Sequence, residues 1–200
     1  YVVFGKSSGF RASLDLSSLN GSNGFRLDGV DADDQSGYSV SSAGDVNGDG
    51  FDDVIIGASD AFADGKDLAG ESYVVFGKSS GFSADLDLSS LNGSNGFRLD
   101  GVDQFDQSGQ SVSSAGDVNG DGYDDVIIGA FHAGPDGKEQ AGESYVVFGQ
   151  SSGWSSDLDL STLNGSNGFR LDGVDDGVDA GDRSGWSVSS AGDVNGDGYD

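Results

Sequence analysis

Asp45, Asp49, Asp52 and Asp53 crowd four carboxylates into the stretch GDVNGDGFDD (44–53), with no lysine or arginine among them. At about 5 Å and an effective dielectric of about 20, each like-charge pair costs roughly 3 kcal/mol. The chain nevertheless repeats the arrangement as GDVNGDGYDD at 116–125 and GDVNGDGYD at 192–200. A hard divalent cation cancels such repulsion. Asp45, Asn47 and Asp49 stand at positions 1, 3 and 5 of the loop, Phe51 at position 7 can offer its backbone carbonyl, and Asp53 at position 9 adds a carboxylate. Alternate spacing turns these oxygens toward one centre, and Gly50 at position 6 permits the tight left-handed turn. Three carboxylates and a neutral Asn suit Ca²⁺, which takes six to eight oxygens in irregular geometry, better than the strict octahedron of Mg²⁺. The same roles fall to Asp117, Asn119, Asp121, Tyr123 and Asp125. The third loop offers Asp193, Asn195, Asp197 and Tyr199 without a position 9, so an incomplete site is expected there.

The loop is not an EF-hand. Position 12 is Ile56 instead of a bidentate Glu, and a strand is expected where a helix should follow. The plainer alternative is an acidic Asx/Gly turn that holds no metal. The recurrence of the D-x-N-x-D-G-x-x-D spacing favours the ion. Asp52 falls between ligand positions and reads as solvated. Catalytic readings are poor: His132 is the only histidine and the chain has no cysteine, so no Ser/His or Cys/His pair can serve the repeats. No enzymatic activity is expected, and no cofactor other than Ca²⁺.

The elements that must position these loops come in repeats. YVVFG occurs at 1–5, 73–77 and 145–149, and SVSSAGDVNGDG at 39–50, 111–122 and 187–198. The shift is 72 residues, except for four extra residues within 173–185. A period this long signals tandem supersecondary units. One unit reads as four strands: YSVSSAG (38–44), DVIIGA (53–58), ESYVVFG (71–77) and GFRLDG (96–101). VII and YVVF are continuous apolar runs, as in strands covered on both faces. No sustained 3.6-residue period occurs, although DLSSLNG (15–21) can form one helical turn capped by Asp15 or Ser17. The expected fold is all-β: tandem four-stranded antiparallel blades of a partial β-propeller, with an open stack of sheets as the alternative. Residues 1–37 would be the second half of one blade, 38–109 and 110–185 full blades, and 186–200 the start of another. That makes eleven strands and fewer than three blades, too few to close a ring. Either the parent chain continues or copies assemble.

DVNGDGFDDVIIGA and its copies resemble FG-GAP repeats, the blades of the integrin alpha-subunit propeller and of many bacterial surface proteins. SGYS (36–39) stands where that family has its FG, and IIGA (55–58) where it has GAP. The resemblance covers nearly the whole chain. It implies a seven-bladed propeller with Ca²⁺ in the hairpin between a blade's first two strands. Two departures stand out: the 72-residue unit carries an added segment, KSSGFSADLDLSSLNGSN (78–95), before its fourth strand, and the chain holds under three blades.

Charge narrows the partners. Thirty-five acidic and nine basic residues give a formal charge of −26, which argues against nucleic acid and anionic membrane surfaces. The absence of a run of 18 apolar residues leaves no candidate membrane span. The opening on Tyr1, inside a strand, reads as a window on a longer polypeptide, and the lack of cysteine fits a secreted or cell-surface protein of bacterial type. Phe10, Phe82 and Trp154 are expected to cover a blade edge, with sugar stacking as the minority reading. Arg26, Arg98 and Arg170 are expected to serve as edge or inter-blade charge partners. NGS at Asn20, Asn92 and Asn164 matches the glycosylation acceptor but lies in glycine turns that a hairpin needs anyway. The sequence thus points to a calcium-stabilised extracellular module for structural assembly or adhesion, with protein or self-assembly contacts. A propeller lectin that binds glycan in inter-blade or aromatic pockets is the alternative. The units differ most at 59–71 and in the GVDADDQSG segment (29–37) and its copies, at the end opposite the acidic loops. That end is expected to be free of packing constraint, either as a recognition face carried on loops or through plain drift in solvated loops.

Overall fold

A computed structural model describes residues 1–138, 140–174 and 181–200, leaving aside the side chain of Asp136. The four-residue expansion anticipated within 173–185 lies mostly outside the described residues.

The four strands expected of a unit all form. They are β3 (Ser39–Gly44), β4 (Asp53–Ala58), β5 (Glu71–Val75) and β7 (Gly96–Asp100), paired antiparallel in the spatial order β7-β5-β4-β3. The second unit repeats them as β8 (Ser111–Gly116), β9 (Asp125–Ala130), β10 (Glu143–Val147) and β12 (Gly168–Asp172), in the order β12-β10-β9-β8. Before them, β1 (Val2–Val3) pairs antiparallel with β2 (Gly24–Asp28). The architecture is all-β, with the tandem four-stranded antiparallel sheets of propeller blades. The apolar runs are buried as their composition requires: every residue of β5 and β10 is buried.

Two features depart from the expected strand count. The added segment supplies short strands, β6 (Asp85–Asp87) and β11 (Asp157–Asp159), and each pairs parallel with the outer strand of the preceding unit: β6 with β2, and β11 with β7. Three residues of alternating DLD carry too weak a pattern to be read as a strand. In the opposite direction, 187–192 forms no strand. Its counterparts β3 and β8 are held by hairpin pairing to a DVIIGA strand. The helical turns appear as 3₁₀ turns at Leu16–Ser18, Leu88–Ser90 and Leu160–Thr162. Asp15, Asp87 and Asp159 cap them by accepting the N–H of Ser17, Ser89 and Ser161 at 2.8–2.9 Å.

The added segment seals the sheet edge with rings as well as backbone. Phe82 stacks on Phe25 at 4.2 Å between centroids, and Trp154 stacks on Phe97 at 4.0 Å. Arg98 pairs with Asp100 on its own strand and approaches Glu71 at 3.6 Å on the next. Arg170 pairs likewise with Asp172 and Glu143.

Successive sheets pack face to face through one apolar layer. Ile55, Val74 and Phe97 of the first sheet meet Val112, Val126 and Ile128 of the second. The effect of this contact shows at one pair of equivalent residues: Val112 is 4% exposed against the first sheet, whereas Val40 is 62% exposed. Glycine sets how closely the units approach. A Cβ at Gly57 would collide with the carbonyl oxygen of Gly109 in the turn that leads into β8, and one at Gly129 with that of Gly185 in the corresponding turn before 187–192. Both glycines belong to the IIGA segments. Gly57→Ala should therefore lower stability by about 1–3 kcal/mol through overpacking against backbone. Urea denaturation measures this, and an unchanged midpoint would show that the units can separate without cost.

Candidate metal centre

In both full units the acidic loop lies between the first two strands, closed by a bulge at Ser42/Gly44 or Ser114/Gly116. The first loop folds around its own backbone N–H groups. Asp45 Oδ1 accepts from Asp49 N–H at 3.0 Å and Oδ2 from Gly50 N–H at 2.9 Å. Asn47 Oδ1 also accepts from Asp49 N–H, and Asp49 Oδ1 from Phe51 N–H, both at 2.9 Å. Gly48 and Gly50 take φ of 71° and 88°, the left-handed conformation the turn needs. The second loop repeats this with Asp117, Asn119 and Asp121, and the third with Asp193, Asn195 and Asp197. The position 7 residues Phe51, Tyr123 and Tyr199 each donate their N–H to the position 5 carboxylate.

Asp53 sits beneath the first loop and is fully buried. Its Oδ2 accepts from Val46 N–H at 3.0 Å and its Oδ1 from Gly77 N–H at 2.8 Å. Asp125 makes the same two bonds with Val118 and Gly149 at 2.9 and 2.8 Å. Burial pushes the Asp53 carboxyl up to about 7, offset in part by its two backbone bonds and raised further by Asp49 and Asp45. Burial likewise pushes Asp125 up to about 6, with Asp121 and Asp117 adding to it. Among the described residues neither carboxylate has a Lys or Arg partner.

The structure thus brings positions 1, 3 and 5 into one turn and sets position 9 behind it. It does not draw three carboxylates onto a single point: among the described residues, no three His, Cys, Asp or Glu side chains converge as a metal-holding group. The carboxylates are turned to the N–H groups of their own loop. The donor set still fits a hard cation. It consists of oxygens alone, those that accept a single hydrogen bond, such as both oxygens of Asp45, keep a second lone pair, and the buried position 9 acid lies near two other acids without a side-chain counter-charge among the described residues.

Asp52 is exposed, as expected for a residue between ligand positions. Its counterpart Asp124 is engaged: its Oδ2 accepts from Asp45 N–H at 2.8 Å in the preceding unit. Sequence spacing within one loop could not show this contact, because the partner lies 79 residues away.

The opposite end corrects one expectation. Its variable segments are paired to each other rather than free. Phe105, Gln107 and Ser108 donate backbone N–H to the carbonyls of Asp67, Leu68 and Ala69. Arg183 and Ser184 donate to Gln140 and Ala141 in the next unit. Within this end Asp106 is buried, and its Oδ2 accepts from Asp103 N–H.

These repeats have known counterparts. The FG-GAP repeat family model matches residues 36–75 and 108–147. Two FG-GAP repeats lie in this chain. Part of the chain is similar to integrin alpha subunits. Integrin alpha-PS2 of Drosophila melanogaster is 31% identical over 138 residues, covering 67% of this chain and 9% of that protein. Human integrin alpha-8 is 33% identical over 121 residues, 58% of this chain and 10% of that protein. Integrin alpha pat-2 of Caenorhabditis elegans is 39% identical over 85 residues, 38% of this chain and 7% of that protein. The chain thus spans about a tenth or less of the length of these relatives. Both matched repeats begin at the SG turn before the first strand, run through an acidic loop and the IIGA strand, and end in YVV.

Burial holds the Asp106 carboxyl at about 7, with Asp103 and Glu143 raising it and Lys66 opposing. An acid whose pKa is raised on folding favours the protonated folded state. Its contribution is fully present below about pH 4, its unfolded value, and is lost as pH rises through about 7. Asp106→Asn keeps an acceptor for Asp103 N–H and removes the titration. The variant should therefore lose less thermal stability than the parent between pH 5 and pH 8. Melting curves at the two pH values test this, and equal losses would contradict it.

Proposed function

We propose that this chain is part of a calcium-stabilised extracellular module for adhesion or structural assembly, without catalysis. The observation that carries the reading is the acidic loop found in all three units, backed in both full units by a buried aspartate that has no basic partner among the described residues. Ca²⁺ would be held by Asp45, Asn47, Asp49, the Phe51 carbonyl and Asp53, and by Asp117, Asn119, Asp121, the Tyr123 carbonyl and Asp125. Asp193, Asn195, Asp197 and the Tyr199 carbonyl would form a partial third site. The bound ion supplies charge neutralisation: it offsets the mutual repulsion of the loop carboxylates and lets the buried aspartate stay ionised at neutral pH. The likeness to integrin alpha subunits supports a place outside the cell or on its surface, and partners that are proteins or further copies. The added segment supports assembly over glycan binding, because Phe82 and Trp154 spend one ring face each on Phe25 and Phe97. The blade boundaries proposed are 38–109 and 110–185, with part-blades on either side.

A ligand that binds only the folded state stabilises it by mass action, by about 2.7 kcal/mol at a hundredfold excess over its dissociation constant. Chelator at neutral pH should lower the melting temperature by several degrees. Ca²⁺ should restore it, and Mg²⁺ at the same concentration should not. A melting temperature indifferent to chelator would reject the calcium reading.

A further inference from the structure

The acidic loops are not independent of one another. Residues at positions 7 and 8 of one loop dock on the loop of the preceding unit. Asp124 Oδ2 accepts from Asp45 N–H at 2.8 Å, and Asp124 N–H donates to the Asp45 carbonyl at 3.3 Å. The Tyr123 ring lies against Gly48, where a Cβ would collide with it, and the Asp124 carboxylate lies equally close to Gly44. Gly44 and Gly48 take φ of 76° and 71°, so the first loop's backbone is shaped to receive both side chains. The next junction repeats every part. Asp200 Oδ2 accepts from Asp117 N–H at 3.3 Å, its N–H donates to the Asp117 carbonyl at 3.5 Å, and Tyr199 and Asp200 lie against Gly120 and Gly116.

We infer that Asp124 is a positioning residue that couples cation binding at loop 117–125 to cation binding at loop 45–53. The inference rests on the calcium reading above. On that reading Tyr123 gives its carbonyl and Asp125 its carboxylate to the second ion, so binding there fixes residues 123–125. Asp124 lies between these two ligands and holds Asp45, the first ligand of the preceding loop. The ordering cost of this shared segment is met once and then serves both loops, which gives positive cooperativity without any change of fold. Linkage makes the effect reciprocal, and couplings of this kind run from about 5-fold upward in affinity. Because the same junction recurs at 199–200, the coupling would run along successive units, each loop bracing the one before it.

The test is a Ca²⁺ titration of the whole chain, followed at the amide resonances of Gly50 and Gly122, one in each full loop. Asp121→Ala removes a ligand of the second loop only. It should weaken the Ca²⁺ response at Gly50 about fivefold, although every ligand of the first loop is intact. Asp124→Ala should weaken the Gly50 response to the same degree, and adding Asp121→Ala to it should have no further effect there. Asp124→Asn keeps an acceptor for Asp45 N–H and should retain most of the parental response. Melting in chelator checks that each variant folds, and a merely structural loss would move that melting point without removing the dependence of Gly50 on Asp121. A Gly50 response unchanged in Asp121→Ala overturns the coupling while leaving calcium binding in place. A parent chain in which neither amide responds to Ca²⁺ overturns both.

Discussion

One buried carboxylate organises each acidic loop. Asp53 opens β4, yet its two oxygens bind the N–H groups of Val46, seven residues back, and Gly77, 24 residues ahead. It therefore ties the hairpin loop to the chain leaving β5. An apolar residue there would orphan two backbone donors at the end of the sheet, at about 1–3 kcal/mol each. Ionising it, however, places a charge where burial and neighbouring acids oppose it. The loop above it is the natural place for a cation to relieve that conflict, and among the described residues no lysine or arginine pairs with this carboxylate. Sheet edge, loop shape and charge balance all meet at this side chain.

Much of the fold was legible because the units share long identical stretches. β3, β4, β5 and β7 fall within the segments marked by SVSSAG, DVIIGA, ESYVVFG and GFRLDG. VII and YVVF carry continuous apolar character, and glycine brackets them, so burial on both faces could be read directly. The residues of positions 1, 3 and 5 were legible for a related reason: an Asx turn is a local object, fixed by the four residues around it. Contacts between units were not legible. Asp52 and Asp124 are the same residue in the same motif, yet Asp124 accepts a hydrogen bond from the loop of the preceding unit, a contact that the motif itself does not encode. The pairing of 67–69 with 105–108 escaped for the same reason, since variability between units was read as freedom when the two segments share a backbone ladder.

The added segment was recognisable as an insertion but not as a strand donor. Its aromatic residue and its DLD stretch act together, the ring on the outer strand's phenylalanine and the backbone on its open edge. Outer strands of antiparallel sheets are prone to pair with foreign chains. Here β2 and β7 are covered by a neighbour from their own polypeptide. Tyr73 and Glu71 add a buried polar link on the adjacent strand, with the phenol donating to the carboxylate and Arg98 nearby. The outer half of the sheet is thus held by rings, ladder and charge together.

The parallel ladder between β7 and β11 also sets an order in time. Ribosomes add about 5–20 residues per second, so β11, at 157–159, follows β7, at 96–100, by several seconds. Through that interval the first sheet can close its four antiparallel strands while its outer edge still faces solvent. The sheets of β2 and β7 are each finished by the unit made after them. A nascent chain of this kind carries one open edge at its growing end, handed forward from unit to unit. On this outer side, exposure during synthesis stays at the newest sheet however many units the polypeptide contains.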